Sequence, residues 1–364
     1  MNLQGIESFS SSRLVLARER VGFTQRRLSE SVGISPRTIK AYESGETSPS
    51  RESLSAISRA LGYPEAFFVA PSIDALPLEA ASFRALSKAS ATLRNRAVAS
   101  GTFAVELLYP YLAQRFDLPK VDLPDLRDET PSAAAEALRH YWGLGQRPIP
   151  HVVRLLELHG VRVFSLSEDC DAIDAFSLWR DGVPFIFLNA RKTAERGIFD
   201  AAHELAHLTM HRHGVPQGHD AEKEADRFAS NFLLPEAAIR ASAPKVTTVA
   251  NVAAMKRRWR ASTAALGRRL YDLGLMSKYN YTRFNIELSH RGRHNEPAPI
   301  PRETSAILEK TLSTLSEEGI DARSIARELH LPLSEIRALT FGFQMVTGSG
   351  MTSGVGRGDL RLVT

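Results

Sequence analysis

The sequence has 364 residues, which at roughly 150 residues per domain is enough for two or three domains. Its 43% hydrophobic and 24% charged residues lie near the globular average, which excludes collagen-like, wholly disordered and disulfide-framework proteins. The 46 basic and 41 acidic residues leave a net charge of +5, which is compatible with an anionic partner but does not establish one.

Cysteine content and hydropathy indicate the compartment. Cys170 is the only cysteine, so it forms no intrachain disulfide and favours a reducing environment. We interpret it as a small buried residue rather than a reactive thiol. The opening residues lack the pattern of a signal peptide, and no apolar run approaches the roughly 20 residues of a membrane helix. We therefore expect a cytoplasmic protein with no membrane association.

Residues 12–69 carry helical periodicity interrupted by turn signals, which predicts a small helical head. Thr24 is expected to cap one helix, and Gly33 to end it with a positive φ. Ser35 and Pro36 then suit the N-cap and the first position of the next helix. Prolines shortly after residue 70 mark a boundary.

Two successive helices with basic outward faces suit the helix-turn-helix geometry, in which one helix crosses the phosphate backbone and the next enters a groove. Arg37 can pair with guanine edges, and Lys40 with phosphates. The candidate DNA-contacting residues are Gln25, Arg26, Ser35, Arg37, Thr38 and Lys40. The alternative is a helical hairpin that only packs or dimerises, with a solvated basic face.

The segments TQRRLSESVGIS, TIKAYESG and LSAISRALG resemble the XRE, or Cro/C1-type, helix-turn-helix family. The resemblance implies a five-helix, lambda-repressor-like fold that binds a double-stranded DNA operator. Because such heads bind paired half-sites, it also implies a homodimer.

Helices continue beyond the head. An Ala-, Leu- and Arg-rich stretch from Phe83 to about Tyr111 predicts one helix, and residues 132–142 another. A helix is then expected from His151 through Gly160, followed by the β-prone run VRVFSL.

The segment AFSLWRDGVPFIFLNA contains two β-prone runs split at Asp181-Gly182. The Asp-Gly pair is a strong hairpin signal, so we predict a hairpin here and almost no sheet elsewhere.

The sharpest chemical signal is His203-Glu204-Leu205-Ala206-His207. On a helix His203 and His207 lie one turn apart, so both imidazoles can reach one zinc ion. Glu204 is then placed to accept a proton from a zinc-activated water.

A catalytic zinc needs a third protein ligand, and a second helix offers Glu222, Glu224 and Asp226. We choose Glu222. Asp226 lies one turn further on the same face, where it can orient a histidine. The alternative is an ordinary solvated acidic face.

His211, His213 and His219 follow the motif. They are interpreted as surface residues, although crowded histidines can bind metal by themselves. One of them is a candidate for stabilising an oxyanion, and the sequence does not identify which.

The stretch PFIFLNARKTAERGIFDAAHELAHLTMH, followed by EKEADRFASNFLLP, resembles the ImmA/IrrE metallopeptidase family. The resemblance implies that His203, His207 and Glu222 are zinc ligands and that Glu204 is the general base of a gluzincin-like peptidase. Ala206 departs from the glycine common in the family, but its methyl group is small.

Further helices are predicted after this motif: a basic helix pair around 247–274 and two more helical segments after Arg291. The segment IARELHLPLSEIRALTFG lacks a basic face, so we interpret it as an interaction or packing module. The chain closes on a flexible Gly/Ser-rich tail.

These readings predict a mainly α protein with a small α+β zincin-like metallopeptidase domain containing a short β-sheet. The expected domains are a helix-turn-helix domain over 1–70, a helical linker over 71–150, the metallopeptidase domain over 151–290 and a helical C-terminal region over 291–364.

Three functions are compatible with this combination. The first is a DNA-binding regulator whose zinc-dependent peptidase domain cleaves a repressor-type protein in a stress or mobile-element response. The second is a transcription factor whose zinc domain is a non-proteolytic ligand or stress sensor. The third is an antitoxin-like protein that mainly binds partners.

Overall fold

A computed structural model of the chain describes residues 8–77, 89–166, 170, 172–211, 219–290 and 299–343. Within these ranges the protein is mainly α-helical, with one three-stranded sheet, which confirms the predicted fold class. None of the described helices combines the length and the apolar character that a bilayer-spanning segment requires.

Five helices form the head, as predicted. They are α1 (Ser11–Val21), α2 (Gln25–Val32), α3 (Pro36–Ser44), α4 (Arg51–Leu61) and α5 (Glu65–Phe68). The predicted local signals are all present: Thr24 accepts a hydrogen bond from the Arg27 amide, Gly33 has a φ of 68°, and Ser35 accepts from the Thr38 amide. Each cap satisfies an amide that the first helical turn leaves without a partner.

A long helical segment follows the head and packs against α1. It consists of α6 (Ala91–Phe103), a π-helical turn (Ala104–Leu108) and α7 (Tyr109–Ala113). The predicted start at Phe83 lies outside the described residues. The next helix, α8 (Pro131–Tyr141), agrees with the prediction for 132–142.

The sheet follows α9 (Val152–Leu158) and contains β1 (Arg162–Leu166), β2 (Ala175–Arg180) and β3 (Val183–Asn189). Its order is β1-β3-β2, with β1 parallel and β2 antiparallel to β3.

The predicted hairpin joins β2 to β3 through Asp181 and Gly182, with φ values of 48° and 75°. Both values are positive, as a type I′ turn requires.

Both faces of the sheet are buried. Along β3, Phe185 and Phe187 belong to a hydrophobic core shared with the head, α6 and the C-terminal helices. Ile186 and Leu188 point the other way, into a core formed with the helices on the opposite face. The two-residue period of a strand thus lets β3 contribute to two cores.

The second core is built mainly from six further helices. They are α10 (Ala194–Met210), α11 (His219–Leu233), α12 (Glu236–Ser242), α13 (Val249–Trp259), α14 (Thr263–Asp272) and α15 (Lys278–His290). Our sequence analysis does not predict α15. Its Phe284 packs so closely on Gly267 that a Cβ there would lie 2.3 Å from the ring.

Three helices, rather than the two predicted segments, end the described chain: α16 (Ala306–Glu317), α17 (Ala322–Glu328) and α18 (Leu333–Leu339). Glu335 on α18 pairs with Arg20 of the head at 2.9 Å and accepts a hydrogen bond from Tyr63. After α18, the Phe341 amide donates to Ser165 on β1 at 2.7 Å. The segment therefore packs between the head and the sheet. The Gly/Ser-rich tail lies outside the described residues.

Candidate metal centre

The candidate metal ligands come from α10 and α11, which pack side by side. Leu205, Ala206 and Leu208 are buried towards the core. The apolar stripe predicted for α11 is also buried, including Phe228 and Phe232. Because these apolar faces fix both helices, the polar side chains beside the stripe are held opposite one another.

His203, His207 and Glu222 come together as a compact group of donor atoms. The two histidine Nε2 atoms are 3.2 Å apart. Glu222 places one carboxylate oxygen 3.3 Å from Nε2 of His203 and the other 3.4 Å from Nε2 of His207. Donor atoms about 2.05 Å from a tetrahedral centre are separated by about 3.3 Å, so these spacings fit one zinc-sized ion.

The electrostatics of the group favour positive charge. Burial lowers the pKa of His203, but hydrogen bonds to Asp226 and Glu222 outweigh it and raise this pKa to about 10. Burial likewise raises the pKa of Glu222, but hydrogen bonds from His203 and His207 hold it well below its ordinary value. The negative charge of the carboxylates around His203 would also attract a metal cation.

Each histidine has a partner on its outer ring nitrogen. Nδ1 of His203 lies 3.0 Å from Asp226, the arrangement predicted for that residue. Nδ1 of His207 lies 3.0 Å from Nδ1 of His211, whose Nε2 is 3.1 Å from Glu224. Such partners fix the orientation of a ligating imidazole.

The sequence analysis missed the role of this His211–Glu224 pair. It weighed Glu224 as a metal ligand, whereas the structure places that carboxylate on His211. Both ring nitrogens of His211 are engaged, which leaves it poorly suited to hold an oxyanion. His213 and the side chain of His219 lie outside the described residues.

Glu204 is buried beside the candidate ligands, with 3% of its surface exposed. Its carboxylate accepts a hydrogen bond of 2.7 Å from Ser177 on β2. Sequence reasoning missed Ser177, although the strand pattern could have revealed it. Ser177 lies on the same face of β2 as Ala175 and Trp179, because side chains two residues apart in a strand point the same way. That face packs on α10, so the sequence places a hydroxyl group there.

The predicted DNA-contacting residues on α3 differ in exposure. Arg37 and Lys40 are exposed, Thr38 is half-buried, and Ile39 beneath them is buried in the core of the head. Ser35 is exposed but caps α3 through the Thr38 amide at 3.1 Å.

The two predicted residues on α2 are engaged within the head. Gln25 donates to Glu43 on α3 at 2.7 Å, which ties the first helix of the motif to the second. Arg26 pairs with Glu30 one turn along its own helix at 2.9 Å and remains exposed.

Comparison with known families gives two matches. Residues 14–68 match the family described as helix-turn-helix, and residues 156–271 match the family described as IrrE N-terminal-like domain. The first match covers α2–α5 and all but the first three residues of α1, and the second contains the candidate metal centre. No curated protein matches the chain significantly. The chain is therefore a fusion of an XRE-type helix-turn-helix DNA-binding domain with an ImmA/IrrE-like metallopeptidase-family domain.

Proposed function

We propose that this protein is a DNA-binding transcriptional regulator that uses its peptidase domain to cleave a repressor-type protein in a stress or mobile-element response. One observation carries the hydrolytic part of this proposal. His203, His207 and Glu222 present three donor atoms at the spacing of a tetrahedral zinc site, and the carboxylate of Glu204 interacts electrostatically with His203.

Two imidazoles and one carboxylate form the donor set of a catalytic zinc site with an open fourth position. Bound there, zinc would polarise the scissile carbonyl and lower the pKa of the attacking water.

Glu204 would accept the proton of that water and deliver it to the leaving amine. The hydrogen bond from Ser177 would hold the carboxylate in one orientation while it exchanges the proton. Asp226 and the His211–Glu224 pair would keep the two imidazoles aimed at the ion.

The head would place the regulator at its operator as a homodimer in the cytoplasm. The exposed Arg37 suits a base edge in the major groove, and the exposed Lys40 and Arg26 suit phosphates. Ser35 and Gln25 would act largely by fixing the two helices relative to each other.

A second candidate function is supported by the C-terminal helices. Since α18 contacts both the head and β1, a change in the metallopeptidase domain has a physical route to the DNA-binding helices. The protein would then be a transcription factor whose zinc domain senses a ligand or a stress without peptide turnover.

The test is co-expression with the repressor encoded nearest to this gene. We expect wild-type protein to cleave it, Glu204→Gln to bind zinc without cleaving it, and His203→Ala to lose both zinc and cleavage. Elemental analysis and immunoblotting measure the two properties. Cleavage that persists unchanged in Glu204→Gln would eliminate the peptidase mechanism, whereas zinc binding with DNA binding but no cleavage would favour the sensor.

A further inference from the structure

A cleft of about 1270 Å³ opens beside the candidate metal centre, between the start of α10, α11, α14 and α15. Two of its lining residues connect it to that centre. Asp226 is hydrogen-bonded to His203, and the ring centroids of Phe199 and His203 are 6.5 Å apart. One end of the cleft is therefore the rim of the metal centre.

The walls of this cleft are predominantly basic, with seven cationic and three acidic side chains. Four of the seven cations, including Lys192 and Lys223, form ion pairs with carboxylates of the protein itself. Arg196 pairs with Asp200 at 2.9 Å, and Arg268 pairs with Asp272 at 2.9 Å.

Arg269 is different because no acidic residue in the described ranges accepts a hydrogen bond from its guanidinium. It is 6% exposed, and it donates to the Leu234 carbonyl at 3.0 Å and to the Asn231 side chain at 2.8 Å. Both acceptors are neutral. Burial lowers the pKa of Arg269, and the nearby carboxylates of Glu236 and Asp272 offset this only in part. An incoming negative group would therefore stabilise its charge further.

Arg227 extends the same surface towards solvent. It lies one helical turn before Asn231, is exposed, and pairs with no acidic residue in the described part of the chain. An anion entering the cleft would meet Arg227 at the rim and Arg269 at the wall.

The dimensions and composition of the cleft indicate a polypeptide. From Asp226 to Leu233 it follows α11 for eight residues, or about 12 Å. That length accommodates roughly four residues of extended chain. Apolar side chains, including Phe199 and Leu288, line it between the charges. Such mixed walls suit alternating apolar and acidic side chains better than a phosphate backbone.

We propose that this cleft binds an acidic segment of the polypeptide substrate, within about four residues of the scissile bond, with Arg269 and Arg227 as its anion-binding residues. The inference rests on the proposed peptidase function, because it assigns the substrate class of that site. The acidic side chain binds towards Asn231 and Leu234, away from the carboxylate of Asp226.

The probes are three fluorescein-labelled ligands: a decapeptide with four central glutamates, its glutamine counterpart, and a ten-nucleotide oligothymidine. Binding to zinc-loaded, full-length Glu204→Gln protein is measured by fluorescence anisotropy. We expect the glutamate peptide to bind at least tenfold more tightly than the glutamine peptide, and this preference to weaken with salt.

Charge reversal locates the binding site. Arg227→Glu should weaken binding of the glutamate peptide at least tenfold. Arg257→Glu, at an exposed position on α13 outside the cleft, is the matched control and should change it less than twofold. Arg269 is left intact because its hydrogen bonds hold α11 and α14 together.

Equal binding of both peptides, or equal loss in both reversed variants, would overturn the inference. Oligothymidine that outcompetes the glutamate peptide and depends on Arg227 would also overturn it, in favour of a nucleic-acid surface. The assay needs no turnover, so specific peptide binding without repressor cleavage contradicts only the peptidase proposal. Conversely, repressor cleavage whose KM is unchanged in Arg227→Glu contradicts only this inference.

Discussion

We expect the buried carboxyl group of Glu157 on α9 to make the stability of the protein dependent on pH. Glu157 is 2% exposed and accepts hydrogen bonds from the amides of Ala306 and Ile307, at 2.8 and 3.3 Å, and from the Ser305 hydroxyl. It therefore caps α16 from a different part of the chain. Burial nevertheless outweighs these bonds and raises the pKa of Glu157 to about 7.

The sign and size of the effect follow from this shift. Between an unfolded pKa of about 4.5 and a folded pKa of about 7, the folded state holds a proton that the unfolded state releases. The free energy of unfolding therefore falls as pH rises through that window. The contribution lost between pH 5 and pH 8 is about 2.5 kcal/mol.

Urea unfolding followed by circular dichroism at pH 5, 6, 7 and 8 tests this reasoning. Glu157→Gln should remove the dependence, so that its stability gains about 2.5 kcal/mol relative to wild type between pH 5 and pH 8. Glu317→Gln, at an exposed position near the end of α16, should follow the wild-type curve. Parallel curves for wild type and Glu157→Gln would refute the reasoning.

Three further predictions concern the metal centre and the head. Asp226→Asn should weaken zinc binding by about 10- to 100-fold, measured by chelator competition, because the ligating imidazole loses its carboxylate partner. Ser177→Ala should lower kcat for repressor cleavage by about tenfold at unchanged zinc content, because Glu204 loses its hydrogen bond; an unchanged kcat would show that the hydroxyl does not position this carboxylate. Arg37→Ala should weaken operator binding by about 1 to 3 kcal/mol and relax one base preference, whereas Lys40→Ala should mainly reduce the salt dependence; gel-shift titrations at several salt concentrations compare them, and equal effects on specific and random DNA would argue against base contact by Arg37.

Features coded within a few residues could be predicted from the sequence. The caps at Thr24 and Ser35 and the left-handed turn at Gly33 depend only on neighbouring amides and backbone torsions. The hairpin at Asp181-Gly182 is equally local. The placement of His203 and His207 on one helix face is also local, because it follows from their four-residue spacing alone.

Contacts between distant segments could not be predicted in this way. Ser177 and Glu204 are 27 residues apart, and their hydrogen bond depends on how α10 crosses the sheet. The family resemblance selects Glu222 among the carboxylates of α11 as the metal ligand. The pairing of Glu224 with His211 could not be predicted, because it depends on how α11 is rotated about its axis relative to α10. The basic cleft likewise draws its walls from five separated segments.

Glu335 and its helix α18 lie between the helix-turn-helix domain and the metallopeptidase-family domain, and neither family match includes them. Deleting the last three described helices would strip the apolar flanks of both partners at once. The shortened protein should therefore aggregate rather than become a constitutively active regulator. The last three described helices therefore complete the hydrophobic core of both domains, and replacing either domain would require changes in these helices.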